Sequence, residues 1–326
     1  MRDDQGFEAL QRVGLKDIED AAQRIQGVAW PTPLLPAGRD EDGVLFLKLE
    51  ALQRTGSFKI RGAWNRMSRT TPEERARGFV TVSAGNHGQA VAWCARKLGA
   101  PCRVWVPEGA VQRKVEAMRA MGAEVKAMPH EAIMDAMRTT ALPHDPERTY
   151  IHPFGDPLVL AGAGTVGLEV ARALPEVGTV LVPVGGGGLS SGIATAVKAL
   201  QPKAKVYGVQ ASGADPLPRS FESGKAEATG PPKTIADGMA ATRVFDYMWP
   251  VLQARLDGAF RATDEQLQAA MVHLAKECHV VAEGAGAAGL AAAWAHRADL
   301  PKPVVAVVSG GNVDPALLAR FLAPAP

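Results

Sequence analysis

Gly185-Gly-Gly-Gly-Leu-Ser-Ser-Gly192 follows the apolar run TVLVPV at 179–184 and precedes a helical pattern at 193–200. The run reads as a buried strand, so the glycines stand where a strand gives way to a helix N-terminus. Four glycines remove every Cβ from the turn. Backbone N–H groups can then crowd a phosphate while the helix dipole favours its charge. A ligand-free turn needs one or two glycines, and more would add entropic cost without return. The stretch therefore reads as a phosphate site in an α/β protein.

Two further motifs compete nearby. Gly188-Leu-Ser190-Ser-Gly192 satisfies G-x-S-x-G in a strand–turn–helix context, and Asp237, Asp246, His273 and His279 follow in hydrolase order. A serine hydrolase using Ser190 thus stays open. Gly162-Ala-Gly164-Thr-Val-Gly167 satisfies the dinucleotide fingerprint. However, the apolar stretch before it covers only 158–161, and no acid stands about twenty residues beyond to hold a ribose. It reads as a helix start.

The chain has 326 residues, enough for one large or two modest domains. With 36 Lys+Arg against 34 Asp+Glu it is nearly neutral. It has no basic run interleaved with aromatics, so a small molecule rather than nucleic acid is the expected partner. Met1-Arg-Asp-Asp-Gln lacks a signal-like apolar core, and no stretch of about eighteen apolar residues occurs. The reading is cytoplasmic, with no membrane contact. Cys94, Cys102 and Cys278 are odd in number and scattered, which fits buried free thiols better than a zinc site.

In chain order, 11–26 carries apolar residues at helical spacing and stops at Trp30-Pro-Thr-Pro33. A strand at 44–50 leads to Ser57-Phe-Lys59-Ile-Arg61-Gly-Ala63. Ser57 is a good N-cap, which puts Lys59 in the first helical turn, where the dipole disfavours an ammonium. Lys59 is then either a tolerated solvent lysine or an amine of lowered pKa, suited to condensing with a carbonyl. A strand at 79–82 enters Ser83-Ala-Gly-Asn86-His-Gly88 and a helix at 89–98. Small residues there make a second anion site, sized for a carboxylate; plain capping by Asn86 is the alternative.

Strands at 103–106 and 125–128, each followed by a helical pattern, make 68–147 a βαβαβα run of its own. Pro143-His-Asp-Pro146 is its exit linker. Strands at 179–184, 205–210 and 303–308, with helices at 166–174, 193–200, 264–278 and 283–295, build a second α/β unit. The domain reading is 1–67 plus 148–326, and 68–147. Ser309-Gly-Gly-Asn312 is a third glycine-containing turn at a strand's carboxyl end, and three such turns argue for one cleft.

Taken together, the motifs at 57–63 and 83–89, the tetraglycine loop, Thr234-Ile-Ala-Asp-Gly238 and Ser309-Gly-Gly-Asn312 resemble the threonine dehydratase and serine racemase family. These are fold-type II enzymes dependent on pyridoxal 5'-phosphate (PLP), and the motifs stand in the family's order across nearly the whole chain. The resemblance implies open, mostly parallel twisted sheets with helices on both faces, and Lys59 as the catalytic lysine that carries the cofactor. It further implies Phe58, Gly185, Gly186, Gly187, Gly188 and Leu189 around the cofactor, Asn86 on its 3'-oxygen and Ser309 on its pyridine nitrogen. Ser83, Ala84, Gly85, Asn86 and His87 would hold the substrate carboxylate. The implied reaction is α,β-elimination from an L-β-hydroxy amino acid, threonine or serine, to a 2-oxo acid and ammonia. A racemase or a 3-hydroxyaspartate dehydratase of the same fold is the alternative. A homodimer is implied, with the smaller unit closing over the substrate. The chain ends soon after the last motif, so no regulatory module is expected.

Five positions depart from the family pattern. Gly155 replaces a polar residue after His-Pro-Phe, Ala163 replaces a Gln, and Ala84 replaces the serine that racemases use as an acid. Metal-activated relatives place carboxylates where this chain has Gln210 and Pro216, leaving Asp215 and Glu283 as weak candidate ligands. Divalent metal is therefore expected to matter less here.

Overall fold

A computed structural model describes residues 6–38 and 43–323, so the opening pentapeptide read above lies outside the described residues. Ten strands are present among the described residues. They are β1 (Leu34–Pro36), β2 (Leu45–Lys48), β3 (Phe79–Val82), β4 (Cys102–Pro107), β5 (Glu124–Met128), β6 (Thr149–Tyr150), β7 (Thr179–Pro183), β8 (Lys205–Ala211), β9 (Gly258–Ala262) and β10 (Val304–Val307). They form two sheets, a six-stranded one ordered β1-β2-β10-β7-β8-β9 and a four-stranded one ordered β5-β4-β3-β6. Of these strands only β1, at an edge, runs antiparallel.

The unbroken apolar run of β7 follows from burial on both faces. Val180 and Val182 join a core with the helices Pro157–Ala173 and Gly188–Leu200, while Leu181 joins another with Asp264–Lys276 and Gly284–Ala295. The same division holds for Val305 and Val307 against Val304 and Ala306 of β10. The smaller sheet is likewise covered twice. Ile60 and Met67 of the helix Lys59–Met67 pack over one face with the helix Asn86–Leu98, and Ile133 of the helix His130–Ala136 packs on the other.

Several elements differ from expectation. The helix expected over 11–26 is two, Ala9–Arg12 and Leu15–Arg24. Gly162–Gly167 is not a helix start but the middle of Pro157–Ala173. That helix begins at Asp156, whose carboxylate accepts the N–H groups of Leu158 (2.7 Å) and Val159 (3.3 Å), with Pro157 at the first turn. Its glycines allow close helix packing. A Cβ at Gly162 would stand 2.5 Å from the Arg61 carbonyl, and one at Gly167 would stand 2.7 Å from Ile193. The strands β1, β6 and β9 and the helices Pro216–Ser223, Trp249–Arg255 and Pro315–Leu322 have no counterpart in the sequence reading. Cys94 and Cys102 are buried as expected, whereas Cys278 is only partly so.

Candidate functional site

Three glycine-containing turns, at the ends of β3, β7 and β10, open into one cavity of about 510 Å³ between the sheets. Phe58, Lys59, Ser83, Ala84, Gly85, Asn86, His87, Gly185, Gly186, Gly187, Gly188, Leu189 and Ser309 all line it. The residues that sequence singled out as one site are therefore brought together.

Lys59 opens its helix, but not through a Ser57 cap. Phe58 is the cap residue, without a side-chain cap bond. The backbone of Ser57 is drawn into a bridge with Gly310, and Phe58 N–H donates to Ser309 O at 3.1 Å. The Ser57 hydroxyl is buried with no partner. The helix is instead fixed by Arg61, wholly buried, which donates to both oxygens of Glu50 (2.8 Å each) and to Glu169. Removing one partner of such a pair would strand a buried charge, at a cost of roughly 3–5 kcal/mol. Lys59 is only half-buried, since part of its chain faces the cavity. Its Nζ donates to Pro153 O at 2.8 Å. Loss of hydration lowers its pKa to about 8.

At the end of β7 the chain turns through Gly187 in the left-handed region (φ 93°), and the 13-residue helix Gly188–Leu200 begins. A methyl at Gly186 would overlap the Phe154 ring. The turn is thus a close-packed cradle leading into a helix start, where backbone N–H groups suit an anion.

The turn after β3 is capped by Gly85 rather than by Asn86, because the Asn86 amide is engaged elsewhere. Its Nδ2 donates to Glu283 Oε1 at 2.6 Å, and its Oδ1 accepts from Asn312 Nδ2 at 2.8 Å. Ser83 Oγ accepts the Gly85 N–H at 3.1 Å, so Ser83, although on the lining, is folded back on its own turn. His87 is buried rather than a surface residue. Its Nε2 meets Ile151 O at 3.0 Å, which makes that nitrogen the donor and leaves Nδ1 bare and unpartnered. Burial pushes its pKa down to about 3. His152, next to Pro153, is likewise held neutral by burial, its Nδ1 accepting the N–H groups of Phe154 and Gly155. Gly155 leaves space that a side chain could not take, since a Cβ there would stand 2.8 Å from both His152 and Phe7.

Sequence reasoning singled out Glu283 only as a weak candidate metal ligand, not for its place on the cavity wall. It is buried, and desolvation together with nearby Asp237 raises its pKa to about 7. It also missed the pair Lys114–Asp237 on the lining. No group of three or more His, Cys, Asp or Glu able to hold a metal occurs among the described residues. Asp215 gives one oxygen to Arg219 and the other to Arg261, both at 2.8 Å. Gln210 is buried and bridges Val184 O (3.0 Å) and Leu217 N (2.8 Å). Ser190 is buried, donates to Gly187 O at 3.1 Å and is not on the cavity wall, so the hydrolase reading lacks an accessible nucleophile.

Backbone cradle, hydrophobic wall and desolvated amine fit an aldehyde-bearing phosphate cofactor. The profile of the family described as "Pyridoxal-phosphate dependent enzyme" matches residues 25–310. The L-threonine ammonia-lyase of Thermotoga maritima is 39% identical over 316 residues, 95% of this chain and 78% of that one. The crystal structure of a threonine deaminase from T.th. superposes with a TM-score of 0.85 at 40% identity, covering 92% of this chain and 99% of the other. The structure of maize serine racemase does so with 0.86 at 33% identity, covering 94% and 96%. With the site's residues and these matches in agreement, the chain belongs to the pyridoxal-phosphate dependent enzyme family, with the α/β architecture of its fold-type II members and PLP as its cofactor.

Proposed function

We propose that the protein is an ammonia-lyase that eliminates water from an L-β-hydroxy amino acid of the threonine or serine type. The observation carrying this reading is the Lys59 amine, desolvated to a pKa of about 8 and sharing one cavity with the tetraglycine cradle and the turn at 83–87. The likeness to a threonine ammonia-lyase and a threonine deaminase supports it.

PLP, when bound, supplies the electron sink that makes the substrate's Cα proton acidic. The N–H groups of 185–188 and Leu189 would hold its phosphate, Lys59 its aldehyde carbon, and Asn86 and Ser309 its ring. Lys59 Nζ, with its lowered pKa, is neutral in a useful fraction near neutral pH and can take a proton from Cα. Backbone N–H groups of 83–87 orient the substrate carboxylate at the start of the helix Asn86–Leu98. Residues 68–147 form a small unit closing over the substrate. Two contacts that join this unit to the rest of the chain support this: Lys114 with Asp237, and Arg113 Nη2 donating to Val313 O at 3.1 Å. The working form is a cytoplasmic homodimer, in keeping with the resemblance.

Racemisation needs a second acid to return a proton to Cα from the face opposite Lys59. Ala84 stands on the lining where racemases of this family carry that serine, and a methyl group cannot donate. Protein incubated with L-serine should therefore form pyruvate with D-serine accumulating at least about tenfold more slowly, the loss of one general acid being worth that or more. D-serine appearing as fast as pyruvate would reverse the assignment in favour of a racemase.

Divalent metal is expected to be dispensable. Gln210 ties the end of β7 to the helix Pro216–Ser223 through its amide, and Arg219 and Arg261 between them already pair with Asp215 and Glu222. Hard cations need carboxylate oxygens that this segment does not leave free, so a chelator should change the elimination rate by less than about twofold. A large loss restored by Mg²⁺ or Ca²⁺ would contradict this.

A further inference from the structure

We infer that Glu283 is a positioning residue whose carboxylate sets the orientation of the Asn86 amide at the cofactor ring. Asn86 lines the cavity, and an amide alone has two flipped orientations open to it. Glu283 and Asn312 leave one. Nδ2 donates to Glu283 Oε1 at 2.6 Å, Oδ1 accepts from Asn312 Nδ2 at 2.8 Å, and Asn312 Nδ2 is itself anchored on Thr55 O at 2.8 Å. With Glu283 ionised, flipping the amide would set its oxygen against the carboxylate and its N–H against the Asn312 N–H, two repulsions at once. In the observed orientation one Asn86 N–H is spent on Glu283 and the second stays free for an acceptor in the cavity.

Glu283 is itself held for this task. Its backbone N–H donates to Gly310 O at 3.1 Å, and its carboxylate is walled in so closely that a Cβ on Gly310 would stand 2.5 Å from Oε1 and one on Gly238 would stand 3.3 Å away. A carboxylate that cannot swing away makes a directional acceptor. The contact joins residues 197 apart in sequence. It ties the turn after β3 to the start of the helix Gly284–Ala295, so it also sets where the two halves of the site meet.

The inference rests on Asn86 lying beside the PLP ring, as proposed above. Its test is a double-mutant cycle read by PLP titration of the apoprotein and by the position of the bound cofactor's visible absorbance band, with circular dichroism to verify folding. Glu283→Ala should weaken PLP binding about tenfold or more and shift the band, as expected for loss of a charge-assisted hydrogen bond. Glu283→Gln, whose amide oxygen can still accept from Asn86, should recover most of both. Asn86→Ala should weaken binding comparably, and adding Glu283→Ala to it should cost little more, because Glu283 acts through Asn86. Additive losses, or an unchanged affinity and band in Glu283→Ala, would overturn the inference while leaving the placement of Asn86 intact. An Asn86→Ala protein with unaltered affinity and band would overturn that placement and the inference with it. If Glu283→Ala fails to fold, Asn312→Ala serves in the same cycle, since it removes the other contact that fixes the flip.

Discussion

Lys59→Ala should lower kcat/KM for elimination by about a thousandfold or more, because on the proposed reading it removes both the covalent attachment point and the base. The fold should survive. The Lys59 amine donates to Pro153 O, and its helix is anchored independently by Arg61 on Glu50 and Glu169. Taking away a desolvated amine should leave the melting temperature of the apoprotein unchanged or raised, as happens where a residue is kept for function at some expense of stability. PLP should still bind through the glycine cradle, reversibly and with an altered absorbance band. Steady-state kinetics on threonine, a melting curve and a PLP titration check the three parts. A variant retaining more than about a tenth of wild-type activity could not be reconciled with Lys59 as the base.

Gly186→Ala should cripple cofactor binding more than a methyl added at Gly185 or Gly188. Its Cβ would overlap the Phe154 ring, whereas one at Gly188 would meet the same residue at 3.1 Å and one at Gly185 would meet Gly238 O at 3.4 Å. Phe154 cannot yield easily. It is buried, edge-on to His152 at 4.8 Å between ring centroids, and beside Phe245 at 5.5 Å. Overpacking of this kind costs about 1–3 kcal/mol of stability. Turning aside the N–H groups of the loop should weaken PLP about a hundredfold, equivalent to losing two hydrogen bonds to a charged group. Gly230→Ala is the control: nothing lies within 4 Å of its Cβ, its φ is not positive, and it should be silent. Urea denaturation and PLP titration separate the two effects, and wild-type PLP affinity in Gly186→Ala would show that the cradle is elsewhere.

The parts of this site legible in the sequence are those built from local pattern. β7 can be read because a strand buried on both faces is a continuous apolar run, and the loop after it because four glycines have few uses. Of the helix Pro157–Ala173 only the part from 166 is legible, because its first half carries glycines that local propensity places at a helix start rather than in its middle. Tertiary packing decides otherwise, since those glycines let neighbouring helices touch. Its start does have a signal, in Asp156-Pro157. Ser57 shows the opposite error, a good capping residue whose backbone is claimed by a bridge to Gly310. β9 gives no signal because it is half-buried along most of its length rather than alternating. The charged partners are least legible. Arg61 with Glu169, Asn86 with Glu283 and Lys114 with Asp237 are separated by 108, 197 and 123 residues, and no local rule pairs them.

Everything proposed for this enzyme depends on which amine holds the cofactor. The purified protein with PLP, treated with borohydride to freeze the carbonyl–amine linkage, digested and mapped, tests this most directly. The reduced cofactor is predicted on the peptide containing Ser57-Phe-Lys59-Ile, attached to Lys59. Attachment to any other lysine, or a protein that stays colourless and unlabelled after PLP is added, would contradict it.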